Sequence, residues 1–446
     1  MVVCWSLKKP TTGFIEFNTV ADKKTFLVHF VVFPFFWLIT QGFVGSAHAA
    51  NPKHLEQLLA TNACPKCDLR DALLNDATLQ KANLSGAKLE GAQLKGANLT
   101  GANLSNAQLN GVQLTGANLA GANLKQANLG ARSQKPKNVF SDLQDANLQG
   151  ADLSAANLTS AMLTGANLGE AQLSFATLDD ADLAKANLTR AVLGSASLVE
   201  ANLYEAQLNL ANLSGANLTG AQLGRANLDT AKAEGANLAT AGLSQANLTE
   251  ADFNNAVFKK AKLPDVVLIS ANLRSADLSE ADLTGGKLKG ASLNRANLSA
   301  ANLERADLTN AKLAIANLTQ ANLSGANLHF AYLHSATLAK TNLSGVDLRQ
   351  AQLHSADLTS ATLVGATLES ASLISAKLNG ANLTYTNLTM CDLRGANLTG
   401  ANLSYANLSQ ADLELASLLN ANLSGANLSN AKLKGVIGFN RYSSPN

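Results

Sequence analysis

Cys64-Pro65-Lys66-Cys67 is the spacing in this chain that most directly suggests chemistry. Two thiols three residues apart can close a disulfide, cycle as a redox pair, or supply half of a zinc site. Zinc is the poorer fit with two thiols available, and no thioredoxin-like βαβ pattern surrounds the pair to support a redox role. A second group lies near the far end. His329, Phe330, Tyr332, His334 and His354 fall within 26 residues, with Arg349 among them and Tyr385 and Tyr405 beyond. Neutral imidazoles at close spacing can share a metal ion, which makes His329, His334 and His354 weak candidate ligands. Arg349 works against a cation there, and the other use of such rings is to dock a partner. No residues combine into a nucleophile, a base and an orienting group, and nothing points to a cofactor.

What must position these residues is a repeat. Leu recurs at every fifth position from Leu69 to Leu129 and again from Leu143 to Leu433, with Ala two residues before it. Of the 72 pentads, 69 carry Leu at this position, here called i, the exceptions being Ala233, Phe253 and Phe258; Ala stands at i−2 in 63. Neither the 3.6-residue helix nor the alternating strand fits a period of five, and a fixed period marks a solenoid. Residues i and i−2 share a face of an extended stretch and can both point inward. Ala at i−2 reflects a narrow interior, with no room for a second large side chain beside each Leu. Positions i−1, i+1 and i+2 are polar or Gly and face water, with Gly and Asn at i+2 and i−1 suited to corners. The chain is 47% hydrophobic but 5% aromatic, too poor in large side chains for an ordinary core of this length.

The A(D/N)LXX pattern, as in Ala82-Asn83-Leu84-Ser85-Gly86, resembles the pentapeptide-repeat proteins over most of the chain. The resemblance implies an all-β, right-handed quadrilateral β-helix with four pentads to a coil. That makes about eighteen coils and a rod of roughly 85 Å at sheet spacing. Residues 20 apart then lie on successive coils of one side. His334 and His354 should stack in this way, as should Tyr385 and Tyr405. His329 lies one side earlier in the coil of His334, with Arg349 one turn above it.

The remaining segments break the repeat. Residues 1–49 read as a secretory signal: Lys23 and Lys24, an apolar run from Phe26 to Ile39, and a small-x-small site at Ala47-His48-Ala49. The rival reading is a membrane anchor over residues 26–44. Cleavage would remove four lysines and two acids, leaving 30 basic against 30 acidic residues. That neutral balance steers the chain toward neither nucleic acid nor an anionic membrane. Residues 50–66 hold Leu55, Leu58 and Leu59 at helical spacing after Pro52, a short helical cap over the open first coil. Residues 67–130 form a first solenoid segment and 141–435 the main one. Between them the step from Leu129 to Leu143 is 14 residues, so the chain must leave the coil at a loop, 131–140, that is either a tolerated insertion or a partner contact. In the tail, 436–446, Val436, Ile437 and Phe439 are placed to plug the last coil. Phe253 and Phe258 together suggest a locally swollen coil.

Export favours a disulfide between Cys64 and Cys67, tying the cap to the first coil. Cys391 replaces Ala at i−2 and should be buried and inert. The pentad also generates 19 Asn-x-Ser/Thr sequons, which would invite glycans in a eukaryotic secretory pathway and favour bacterial export. The CxxC after an export signal resembles exported cyanobacterial pentapeptide-repeat proteins, which implies the periplasm or thylakoid lumen. A filled rod offers no pocket for catalysis. The expectation is therefore a non-enzymatic scaffold or interaction module with a protein partner, its oligomeric state open. The alternatives are a DNA-mimic topoisomerase inhibitor, which wants an acidic cytoplasmic rod, and a metal-linked accessory protein.

Overall fold

The computed structural model describes residues 49–132 and 139–438. The chain divides into Met1–Ala47 and His48–Asn446, and only the second unit is described here. The signal or anchor segment, Lys135 to Lys137 of the loop, and Phe439 lie outside the described residues.

Each pentad contributes one bridged residue, at i−1, followed by a turn at i+1 and i+2. The parallel bridges join residues 20 apart, such as Asn83 with Asn103 and Asn103 with Asn123, so four pentads make a coil. The pentad satisfies its own backbone. The N–H groups of Leu84 and Gly86 donate to the carbonyls of Asn103 and Ser105 in the next coil, at 2.7 and 2.8 Å. Asn103 N–H donates back to Ala82 at 2.8 Å, and Ala87 N–H closes the turn on the Leu84 carbonyl at 3.0 Å. The fifth donor, Ser85 N–H, goes to the Asn83 side chain at 3.2 Å. In this pentad each amide thus has a partner.

This corrects one expectation. Asn at i−1 is not a corner residue; it sits mid-side, and its Oδ1 accepts the i+1 N–H within its own pentad. Its Nδ2 reaches the Asn one coil away: Asn187 donates to Asn167 at 2.9 Å and Asn167 to Asn147 at 3.1 Å. The corner is i+2, the third residue of the turn, where φ is positive (Gly86, 64°; Asn106, 57°). Glycine takes that setting freely and other residues at a cost.

The four sides are numbered from Leu143, Leu148, Leu153 and Leu158, each continuing in steps of 20. Leu and Ala fill the interior, with most side chains 0–1% exposed. Polar residues at i−2 are satisfied there: Thr341 and Thr386 donate to the carbonyls of Leu318 and Leu363, both at 2.8 Å. Cys391 Sγ donates to the Leu368 carbonyl at 2.7 Å, and burial pushes its thiol pKa up to about 12, so it is inert. Phe253 and Phe258 are both fully buried, edge to face with centroids 5.0 Å apart. Lys232 bridges Asp252, which sets Ala233 one coil before Phe253 on the same side. The smallest side chain at an i position thus lies one coil from a large one.

At the insertion the bridge interval changes from 20 to 29, from Gln113–Asp142 to Asn128–Asn157. Nine residues are looped out at the corner between sides four and one, and the same four sides resume. Before the first coil, helix α1 spans Pro52–Thr61, with Asn51 as N-cap, Pro at its start and Asn62 in the left-handed conformation at its end. Leu58 is buried and Leu55 packs on the core, whereas Leu59, expected to cover the coil, is 60% exposed. At the other end Val436 packs against the core, but Ile437, expected as a plug, is 60% exposed.

Candidate interaction surface

Cys64 and Cys67 are joined by a disulfide with Cα atoms 5.4 Å apart, and both are buried. Cys64 takes a Leu position and Cys67 the following Ala position, so the bond spans the first corner of the solenoid. Beside it, Asp68 N–H donates to His54 Nδ1 of α1 at 3.0 Å, and Asn51 N–H donates to the Asp68 carbonyl at 3.1 Å. The Arg70 guanidinium holds the Asp68 carboxyl below the usual carboxylate range. This end of the molecule is built for cohesion, and the burial of both sulfurs is at odds with redox cycling.

The insertion lies back along the solenoid. Arg132 donates to both carboxylate oxygens of Asp71, at 2.7 and 3.1 Å, and its side chain is 11% exposed. The pair spans the corner column of Asp71, Gly91, Gly111 and Ala131. A Cβ at Gly91 would stand 2.4 Å from the Arg132 guanidinium, so that glycine leaves room for the strap. A polar cleft of about 350 Å³ borders the strap, lined by Arg70, Glu90 and Arg132 among others.

The histidine group is assembled largely as its spacing predicts. His334 and His354 stack on side three with centroids 5.5 Å apart and planes 6° from parallel. His329, on side two, stacks on Phe330 at the corner, 4.1 Å between centroids. Its Nε2 lies 3.2 Å from Gln350 Oε1, and His354 Nδ1 lies 3.3 Å from Ser372 Oγ. Tyr332 is the bridged residue of side three, 39% exposed. Arg349 is spent on its own pentad: its Nε donates to Asp347 at 2.9 Å, and it holds the Asp347 carboxyl below the usual range. Tyr385 and Tyr405 stack with centroids 5.1 Å apart, on the neighbouring corner between sides one and two. They form a separate pair. Among the described residues no three His, Cys, Asp or Glu side chains converge as a metal site.

Sequence reasoning missed a third set of residues. Phe175, Leu210, Ile315, Met390 and Leu415 are 70%, 48%, 56%, 51% and 71% exposed, and all sit at i+2 with positive φ. The signal was available: a bulky apolar residue in the position that favours glycine.

The family described as pentapeptide repeats matches the chain in overlapping stretches over residues 67–130 and 141–435, and the chain belongs to that family. Its members fold as right-handed quadrilateral β-helices, and the 20-residue bridge register agrees. Among solved structures, HetL is a pentapeptide-repeat protein involved in heterocyst differentiation regulation in the cyanobacterium Nostoc sp. strain PCC 7120. It is 41% identical to this chain over 45% of this chain and 89% of its own, with TM-score 0.36. A pentapeptide-repeat protein of the Arabidopsis thaliana thylakoid lumen is 35% identical over 21% of this chain and 62% of its own, with TM-score 0.13. QnrB1, a plasmid-mediated fluoroquinolone resistance protein, is 18% identical over 45% of this chain and 88% of its own, with TM-score 0.21. Among curated proteins, none matches.

Among the described residues no helix is long and apolar enough to cross a membrane. Pentapeptide-repeat proteins are in general non-enzymatic structural or interaction proteins.

Proposed function

We propose that this chain is an exported, non-enzymatic rod of about eighteen coils, capped by α1, that acts as a scaffold or protein-interaction module in the periplasm or thylakoid lumen. The observation that carries the reading is where the side-chain variety lies. The interior is packed with Leu and Ala along the repeat. Rings, imidazoles and large apolar side chains are instead displayed on the outside, most densely between residues 315 and 415. A surface of that kind binds and does not catalyse. The neutral balance left after signal cleavage fits a protein partner better than nucleic acid.

The test is fractionation of a tagged full-length copy in its native host, with a photo-cross-linker at Gln352, inside the histidine group. The expected result is a mature N-terminus at Ala50, recovery in the exported fraction, and cross-links to protein. Retention in the cytoplasm, or cross-links only to DNA topoisomerase, would overturn it in favour of the DNA-mimic reading.

A further inference from the structure

The corner residue of each pentad sits at positive φ, which glycine accepts and a bulky side chain resists. From residue 215 to 310 the corners carry Gly, polar or charged residues and one Ala. From 315 to 415 the same position carries six large apolar or aromatic residues, all with positive φ. None of the six lies on the corner between sides four and one. Phe175 and Leu210 are earlier apolar corners, both at φ 61°, but six of the 21 corners from 315 to 415 are of this kind, so backbone strain and exposed apolar surface are accepted together most often in this stretch, and there on three corners. That pairing points from strain to function.

Four of the six frame side three. Ile315 and Leu415 stand on its trailing corner, five coils or ~24 Å apart; Phe330 and Met390 stand on its leading corner, three coils or ~14 Å apart. Between Ile315 and Leu415 the trailing corner drops to Ser335, Ser355, Ser375 and Gly395. His334, His354 and Ile374 run in one column along the floor. The result is a shelf with apolar posts at both ends.

We infer that this shelf docks one amphipathic α-helix of a protein partner, laid along the rod axis; the inference rests on the scaffold reading. Three observations select that occupant. The first is composition: on sides two and three from 311 to 415 there is a single Lys, Lys312, and two Glu, Glu369 and Glu414, while Tyr, Phe, Met and Arg are present, as in the centre of protein interfaces. The second is charge. Asp347 and Asp392 are each paired within their own pentads, to Arg349 and Arg394, which leaves little charge to attract an ionic ligand. The third is area. A shelf ~24 Å long and one pentad wide, at most ~17 Å, offers no more than about 400 Å², below the ~800 Å² per partner of a standard stable interface. A second copy of the chain face to face is under-provided, whereas one helix of about sixteen residues covers the shelf. Its pitch of ~5.4 Å keeps successive turns near successive coils at ~4.8 Å, while an extended peptide, with same-face side chains ~6.6 Å apart, falls out of step by the second coil.

The experiment presents the full chain with a displayed library of sixteen-residue, net-neutral peptides, apolar at helical i, i+3, i+4 and i+7 spacing. A matched library has the same composition at alternating spacing. The helical library should enrich, and its peptides should bind wild type at least tenfold more tightly than an Ile315→Ser/Met390→Ser variant. Both substitutions lie at exposed corners, so the variant should keep its unfolding temperature, which is measured alongside. Equal enrichment of the two libraries, no enrichment, or equal binding to the variant overturns the helix. A concentration-dependent dimer lost in the variant overturns it in favour of a second copy. If peptides fail while Gln352 still cross-links to protein in the cell, the helix falls and the scaffold reading stands.

Discussion

Two stretches of the solenoid depart from monotony in opposite directions. Around Ala233, Phe253 and Phe258 the change is internal: large and small side chains replace Leu inside a rod whose corners stay polar or glycine. From Ile315 to Leu415 the core is Leu at every i position, and the change is external. The backbone ladder is the same in both, with Leu248 donating to Val267 and Leu328 to Asp347 at 2.7 Å. The ladder therefore fixes the frame, and the two kinds of position vary independently about it. Inside, a change must be answered by a neighbouring coil, because the packed interior leaves no slack. Outside, it is answered by the cost of a corner.

The largest effect expected on this contrast comes from charge placed inside. Leu303 is 0% exposed, and Leu303→Asp buries a carboxylate without a partner, which costs more than about 4 kcal/mol. Chemical denaturation should show loss of the single cooperative transition, and limited proteolysis should cut the rod near residue 303. A smaller effect tests whether Ala233 and Phe253 share volume. Phe253→Ala should cost about 3–5 kcal/mol by opening a cavity beside Ala233, and Ala233→Leu alone about 1–3 kcal/mol by overpacking. The double change Ala233→Leu/Phe253→Leu restores the consensus and should be less destabilised than the two single effects summed, by at least 0.5 kcal/mol. Strict additivity would mean the two positions do not share volume.

These internal rules were legible in the sequence because period five leaves few ways to fold. The inward Leu and Ala and the break after Leu129 follow from counting, and the 20-residue stacking of His334 on His354 and of Tyr385 on Tyr405 from the four-pentad coil that the family resemblance implies. What counting could not give was the duty of individual polar atoms. Asn at i−1 looks like a turn residue until its Oδ1 is seen holding the fifth N–H of the pentad. Arg349 looks like a neighbour of the histidines, yet its guanidinium is paired within its own pentad to Asp347, two residues away. Arg132, where the repeat breaks, reaches back 61 residues to Asp71. Leu59 and Ile437 fit an apolar pattern but stay exposed, because the pattern does not say which apolar residue of an end segment faces the core.

The ends sharpen the comparison from another side. The disulfide spans three residues, so Cys64→Ser/Cys67→Ser should cost no more than about 2 kcal/mol, and that cost should be local. Hydrogen exchange should quicken through α1 and the first two coils and leave the 315–415 stretch unchanged. Quickening along the whole rod would mean that the first corner nucleates the rest, as a one-dimensional array permits when its terminal repeat is lost.

The smallest effect carries the most information, because its sign is unusual. Ile315 is β-branched, 56% exposed and held at φ 61°, where an L-residue pays about 1–2 kcal/mol and glycine nothing. Ile315→Gly relieves that strain but gives the unfolded chain more freedom, which returns about 0.5–1 kcal/mol. Little buried surface is lost. The balance is a gain of about 0.5 kcal/mol from deleting an entire side chain, where deletions at a core position cost several times as much. Gly365→Ile, at a corner with no atom within 4 Å of its Cβ position, should lose a similar amount. Paired denaturation curves for the two variants measure both. If Ile315→Gly is instead destabilising by 1 kcal/mol or more, the side chain is holding the rod together, and the external stretch differs from the internal one only in where its packing lies.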